Sequence, residues 1–254
     1  MSAGLVAAAV LAAVEVGQLV LQHRSLTIDG ASLSYGALLG STTWGMAWLV
    51  RSQSVLGLLL ALLLARRARG AWYGLALAIA ALALVGITAG TSLSGHAASV
   101  VPRIPAVLTD MVHLLSVGTW VGTLGLLLMV ALPLLRSDAS TALIAVRAFS
   151  RVAMVAVALM LLTGVLSASN HLGSWNAVFE STYGRVLLGK LAVVFVVLAI
   201  GARNQLRVRN DGVSASERIS SISSLGRVEL ISAIIVLLVT AVLVASPTPP
   251  TALH

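Results

Sequence analysis

Cysteine is absent from this chain, which rules out an internal disulfide framework, a thiolate metal site and an iron–sulfur cluster. Any transition-metal site must therefore use imidazole, thioether or carboxylate groups. Charge is scarce as well. Asp, Glu, Lys and Arg make up 9% of the residues, against about 25% in an ordinary soluble domain. No glycine-rich phosphate loop or aspartyl-phosphate domain can be found, so transport driven by the chain's own nucleotide hydrolysis is not expected. No catalytic constellation marks the chain as an enzyme. No Lys or Arg precedes the first apolar stretch and Glu15 interrupts it, so this stretch is expected to be a retained helix rather than a cleaved secretory signal.

What the sequence has in quantity is apolar side chain. Hydrophobic residues form 59% of it and the mean hydropathy is +1.03, values that belong to a polytopic membrane protein. A helix crosses a bilayer in roughly 17 to 25 residues, and such stretches run at about 4–22, 44–65, 71–93, 105–135, 150–169, 185–202 and 227–246. The expected architecture is an all-α transmembrane bundle of about seven helices, forming one domain over 1–254. The tail at 247–254, with Pro247, Pro249, Pro250 and His254, is expected to be disordered.

Cations cluster in alternate connections. Arg66, Arg67 and Arg69 lie between the second and third stretches, Arg136, Arg147 and Arg151 between the fourth and fifth, and Arg203, Arg207, Arg209, Arg218 and Arg227 between the sixth and seventh. The other connections hold Arg24 and Arg103. The positive-inside rule then places the amino terminus inside and the carboxyl terminus outside. A net charge of +8 spread over short loops beside helix ends points to anionic lipid headgroups and the bilayer, not to nucleic acid.

One internal similarity stands out. Thr42-Thr43-Trp44-Gly45-Met46-Ala47-Trp48-Leu49-Val50-Arg51 resembles Ser181-Thr182-Tyr183-Gly184-Arg185-Val186-Leu187-Leu188-Gly189-Lys190, with Thr, aromatic, Gly, Leu and a cation at the same spacing. The preceding helices carry a related helical turn, Val16-Gly17-Gln18-Leu19 and Thr163-Gly164-Val165-Leu166. These matches imply a three-helix parallel repeat, with units at 1–93 and 144–246 flanking the helix at 105–135. Thr as a cap, a ring at the headgroups and Gly for close packing explain most of the repeated pattern structurally. The cations are harder to explain that way. Arg51 and Lys190 fall about 10 Å past the aromatic residue of each copy, at a depth where a charge needs a partner or a wet cavity. Pairs of Arg51 with Glu15 and Lys190 with Asp110 are one solution; long stems snorkelling to the outer surface are the other.

Histidine supplies the functional clue. His23, His96, His113 and His171 fall at ends of apolar segments that open on the side opposite the arginine clusters. On the fourth stretch Asp110, His113 and Trp120 share a helix face, where a carboxylate can orient an imidazole or raise its pKa. Hydrogen bonding that merely satisfies a polar spot between helices accounts for the same pair. Interfacial histidines are often simply solvated, and methionines such as Met46 and Met111 are more often packing than ligands. Polar groups toward the inner half are few: Ser116, Thr119, Glu229 and Ser232, with Asn204 and Gln205 near the cytoplasmic end. Metal handling at the outer face, a membrane redox protein with histidine-ligated haem or a linked quinone, and a scaffold without a ligand all remain open. Bis-histidine haem sites need facing pairs, commonly at two depths, and no histidine is expected in the inner half.

Gly95-His96-Ala97, then Asp110, His113, Trp120 and Gly122, then Phe149-Ser150-Arg151, Leu162-Thr163-Gly164-Val165 and Thr182-Tyr183-Gly184-Arg185-Val186-Leu187-Leu188-Gly189-Lys190 together resemble the bacterial copper-resistance D family. The likeness covers about residues 90 to 205, with weaker agreement before it. It implies a multi-pass protein of the bacterial cytoplasmic membrane that moves copper, inward from the outer face, for copper homeostasis or resistance. It also implies a small periplasmic CopC-like copper-binding partner, which some members carry as a fused domain and this chain is expected to lack. His96 and His113 match the family's motif histidines and become the leading copper ligands, with His171, His23 and Met111 as further ligands. Asp110, Glu15, Arg51, Lys190 and Trp120 would form the surroundings or the path. His with Met suits Cu(I), and His with Asp or Glu suits Cu(II). The family commonly has about eight helices, one more than the stretches counted here.

Overall fold

Five apolar helices long enough to cross a membrane make up most of the computed structural model, which describes residues 2–28, 33–99, 101–135 and 137–172 and scattered positions between 188 and 234. In chain order the elements are α1 (Ser2–Ile28), a short α2 (Tyr35–Ser41), α3 (Thr43–Arg67), α4 (Ala71–Ser94), a 3-10 turn (His96–Ser99), and α5 (Arg103–Leu126). A π-helical turn (Leu127–Ala131) joins α5 to α6 (Leu132–Leu134), and α7 (Ala139–Leu172) follows. No strand occurs among the described residues. The protein is an all-α polytopic membrane bundle. Large apolar side chains face outward, among them Leu21 (67% exposed), Trp72 (73%) and Leu82 (72%), because lipid rather than water surrounds them and burial brings them little gain.

The chain divides into two compact units, Met1–Leu115 and Ser116–His254. In the first, α1, α3 and α4 pack as antiparallel neighbours. Ala8 meets Leu58 and Ala83 in one apolar cluster, and Trp48 of α3 reaches the Glu15 carbonyl of α1. The α3–α4 seam is built on missing side chains. A Cβ on Gly86 would lie 2.1 Å from Ser54 Oγ, and one on Gly90 would lie 2.7 Å from both the Ala47 carbonyl oxygen and Arg51 Cβ. Gly86 and Gly90 form a Gly-x-x-x-Gly pattern that lets the two backbones touch, the usual way helices associate where lipid removes the hydrophobic drive. Gly45 does the same for α2, since its Cβ would lie 2.1 Å from the Leu38 carbonyl oxygen.

Local chemistry sets the helix limits. Thr42 caps α3 by accepting from the Gly45 N–H at 2.9 Å while its hydroxyl donates to the Leu38 carbonyl at 2.7 Å, tying α2 to α3. Arg66 and Arg67 complete the last turn of α3, where cations suit the carbonyl end of the helix dipole. Gly70 then takes a φ of +56° and turns the chain into α4. In the second unit the π turn precedes Pro133, which lacks an N–H and would clash with the carbonyl four residues back. The Leu132 N–H accordingly reaches the Leu127 carbonyl, and the helix continues with a widened turn. Leu127, Leu132, Ala142 and Val146 form one apolar cluster of this unit, and Trp120, Ala156 and Met160 another.

The expected spans agree in number and order as far as the described residues go, with three corrections. α1 runs to Ile28 instead of ending at about 22, so His23 lies within the helix and Glu15 sits at the middle of the Gly4–Leu26 span. α7 begins at Ala139 rather than about 150. Arg147 and Arg151, expected in a loop, therefore stand on its exposed side, where long stems carry the charge to the headgroups. α2 was not expected, because seven residues are too few for a periodic signal. The expected helices at 185–202 and 227–246 are described only at scattered positions, which are helical; the tail and the second repeat copy apart from Leu188 and Gly189 lie outside the described residues.

Asp138 starts α7. Its carboxylate accepts from the Ser140 and Thr141 hydroxyls at 2.6 Å and from both backbone N–H groups at 3.1 Å. Those bonds, the Ser140 hydroxyl foremost, hold its carboxyl down to about 2 from 3.8. A depressed carboxyl stabilises the fold above its unfolded value, and that stabilisation disappears as pH falls through the folded value. The first turn of α7 should keep its amide protection above pH 3.8 and lose it toward about 2, whereas Asp138→Ala should lack it throughout; hydrogen exchange at Ser140 and Thr141 against intrinsic rates checks this. Gly90→Val should push α3 from α4 and destabilise the protein by about 1–3 kcal/mol, read by equilibrium unfolding in detergent.

Candidate functional site

Within the first unit the membrane-spanning helices enclose a cluster of polar side chains. Arg51 and Glu15 are 7% and 6% exposed. Arg51 Nε lies 2.6 Å from Glu15 Oε1, an ionic contact whose N–H is not aligned as a hydrogen bond. The two terminal nitrogens do the hydrogen bonding: Nη1 donates to Ser94 Oγ at 3.3 Å, and Nη2 donates to Gln18 Oε1. Ser52 Oγ donates to Glu15 Oε2 at 3.4 Å, and Trp48 Nε1 donates to the Glu15 backbone carbonyl at 3.0 Å. One guanidinium thus links α1, α3 and α4.

Helix periodicity explains the convergence. Glu15 and Gln18 are three apart and share a face of α1, while Trp48, Arg51 and Ser52 share one of α3. Gly90 removes the bulk that would otherwise hold α4 away from Arg51. An arginine at the centre of a membrane helix costs about 2.5–3.5 kcal/mol on insertion scales, and here a carboxylate, an amide and a hydroxyl take the place of water around it. Of the two readings of Arg51, ion pairing and snorkelling, the structure shows the pair with Glu15. The companion pair involves Lys190, which lies outside the described residues.

The end of the unit where α1 and α4 finish carries His23, half-buried and stacked on the Tyr35 ring with centroids 3.9 Å apart and planes at 11°. The 3-10 turn that opens at His96 leaves α4 at the same end, and the turn bearing Arg66, Arg67 and Arg69 lies at the opposite one. Asp110, Met111 and His113 sit half-buried on the first half of α5. Trp120 packs against Ala156 and Met160 in the second unit. His171 falls on the final turn of α7, and the side chains of His96 and His171 lie outside the described set. No three His, Asp or Glu side chains gather as a metal-holding group among the described residues.

Gln18, Trp48, Ser52 and Ser94 of the polar cluster were not singled out from sequence. The period of α1 and α3 places Gln18 beside Glu15 and Trp48 beside Arg51, and that signal was available. Nothing local announces Ser94, which only the α3–α4 register brings to Arg51. The Gly-x-x-x-Gly at 86–90 was the readable sign of that register.

Replacing one member of the ion pair strands the other charge. Arg51→Met and Glu15→Gln should each destabilise the protein by about 3 kcal/mol, and the double variant should regain much of the loss. A double-mutant cycle of unfolding in detergent measures it, and simple additivity would count against a coupled pair.

Residues 143–243 match the family model described as Copper resistance protein D. The match begins in α7 and so does not include Glu15, Arg51, His96, Asp110 or His113. Copper transport protein CutJ of Bacillus subtilis (strain 168) is 31% identical over 166 residues, covering 65% of this chain and 30% of that protein. Copper resistance protein D of Pseudomonas syringae pv. tomato is 28% identical over 175 residues, covering 65% of this chain and 54% of that protein. The chain therefore spans less than two thirds of either relative's length. No solved structure matches. Over residues 143–243 the chain thus matches the copper resistance protein D model, and over 65% of its length it is similar to these two copper proteins.

Proposed function

We propose that the protein carries copper ions across the bacterial cytoplasmic membrane, taking them up at the outer face and passing them inward. The names of both relatives support copper as the cargo. The observation that carries the reading is the placement of His23 and the turn opening at His96 at one end of the first unit, opposite the turn that bears Arg66, Arg67 and Arg69. Arginine-rich connections belong on the cytoplasmic side, so the histidine end faces outward and the amino terminus inward.

On this reading His96 and His113 capture the ion, with His171, His23 and Met111 as additional donors. Neutral imidazole and thioether suit Cu(I), and Asp110 beside His113 would favour Cu(II) or orient the ring. Arg51 already neutralises Glu15, so Glu15 serves as its counter-charge rather than as a stepping stone for a cation. A periplasmic CopC-like protein is the proposed donor. The chain acts as a carrier, with no enzymatic step.

Metal analysis and copper uptake should compare the intact protein with His96→Ala and His113→Ala. Each variant should bind copper more weakly by about tenfold or more and transport it correspondingly slowly. Equal stoichiometry and uptake in all three would remove the ligand assignment, and a Soret band in the purified protein would replace copper cargo with haem.

A further inference from the structure

We infer that Arg51 is a positioning residue for the outer copper site: through Ser94 it holds the end of α4 that carries His96. The inference rests on the proposed copper-binding role of His96. Ser94 is the last residue of α4, Gly95 ends the helix, and His96 opens the 3-10 turn. A final helical turn has carbonyls without intrahelical partners and frays readily. The backbone ties here are long, Gly95 N–H to the Ser92 carbonyl at 3.4 Å and Ala98 N–H to the Gly95 carbonyl at 3.2 Å. Ser94 supplies what they lack. Its hydroxyl reaches the Gly90 and Thr91 carbonyls at 2.9 and 3.0 Å while accepting from Arg51 Nη1 at 3.3 Å.

The anchor itself cannot move far. Arg51 is held from the α1 side by Glu15 and Gln18. At the Arg51 level α3 and α4 touch backbone to backbone, because a Cβ on Gly90 would lie 2.9 Å from the Arg51 nitrogen. α2 closes the start of α3 against Gly45. A ligand misplaced by about 1 Å serves a metal poorly, so a carrier with one ligand two residues past a helix end gains from a rigid support there. Glu15 matters to this arrangement in a second way. It cancels the guanidinium's charge, so the support does not repel an approaching cation.

If the pair only stabilised the bundle, the bond to Ser94 would be dispensable for copper. Ser94→Ala removes that bond and leaves the Glu15–Arg51 pair; Ser52→Ala removes a bond to Glu15 on the other side of the pair. Cu(I) affinity of the full chain in detergent, by competition with bicinchoninate, should fall about tenfold in Ser94→Ala and stay unchanged in Ser52→Ala. Each variant loses a hydrogen bond to the buried pair, so both should unfold at somewhat lowered temperatures, and the copper affinity is what separates them. Arg51→Lys, which keeps the charge and loses the planar fork, should resemble Ser94→Ala. The Cu(II) electron paramagnetic resonance spectrum should change shape in Ser94→Ala alone of the two serine variants. Wild-type affinity in Ser94→Ala, with a weakened His96→Ala, overturns the positioning role and leaves the copper reading intact. Equal weakening in both serine variants overturns it too, as a general packing effect. Wild-type affinity in His96→Ala removes the copper role of His96 and this inference with it.

Discussion

A guanidinium eight residues into a membrane-spanning helix, Arg51 on α3, has to be neutralised where it stands, because lipid offers it no water. That constraint organises the first unit. It fixes the rotation of α1, which must turn Glu15 inward and bring the exposed Gln18 within reach of the guanidinium, while most of the helix's other side chains are exposed. It fixes the register of α4, which must bring Ser94 within reach of the guanidinium. The glycines at 86 and 90 make the register attainable, and the ion pair makes it specific. Hydrophobic burial could not do this alone, since sliding one apolar helix along another in lipid changes the exposed area very little.

Among its described residues the second unit shows two apolar clusters. Its clusters are built from Trp120, Met160, Leu127 and Val146 with small residues between them, and its helix path bends around Pro133 by a widened turn instead of a break. The family match falls in this unit from 143 onward, whereas the buried charge cluster and the turn opening at His96 belong to the first. The likeness to the two copper relatives is longer than that match, covering 65% of the chain, and so reaches into the first unit as well.

Much of the fold was legible because membrane helices announce themselves. A run of apolar residues of bilayer length has few alternatives, so α3, α4 and α5 fall close to their expected limits. The limits of α1 and α7 did not, since Gln22, His23 and Arg24 or Arg147 and Arg151 look like loop residues when read by hydropathy. Helices in fact continue through such residues into the headgroup layer, where their polar ends are solvated. The Glu15–Arg51 pair was readable as one of two solutions to a buried charge. Choosing between pairing and snorkelling required knowing which face of α1 meets α3, and α1 carries too weak an amphipathic pattern to say.

Composition and charge order by themselves determined that this is an all-α membrane protein and set the expectation that four of its histidines fall at helix ends opposite the arginine clusters, because hydrocarbon thickness and the penalty on intramembrane charge act on any sequence regardless of its fold. Only the tertiary structure decided that one arginine would join α1, α3 and α4 beside the segment bearing His96. The contacts that do so span Glu15 to Ser94, and no periodicity within a single helix encodes a distance between helices.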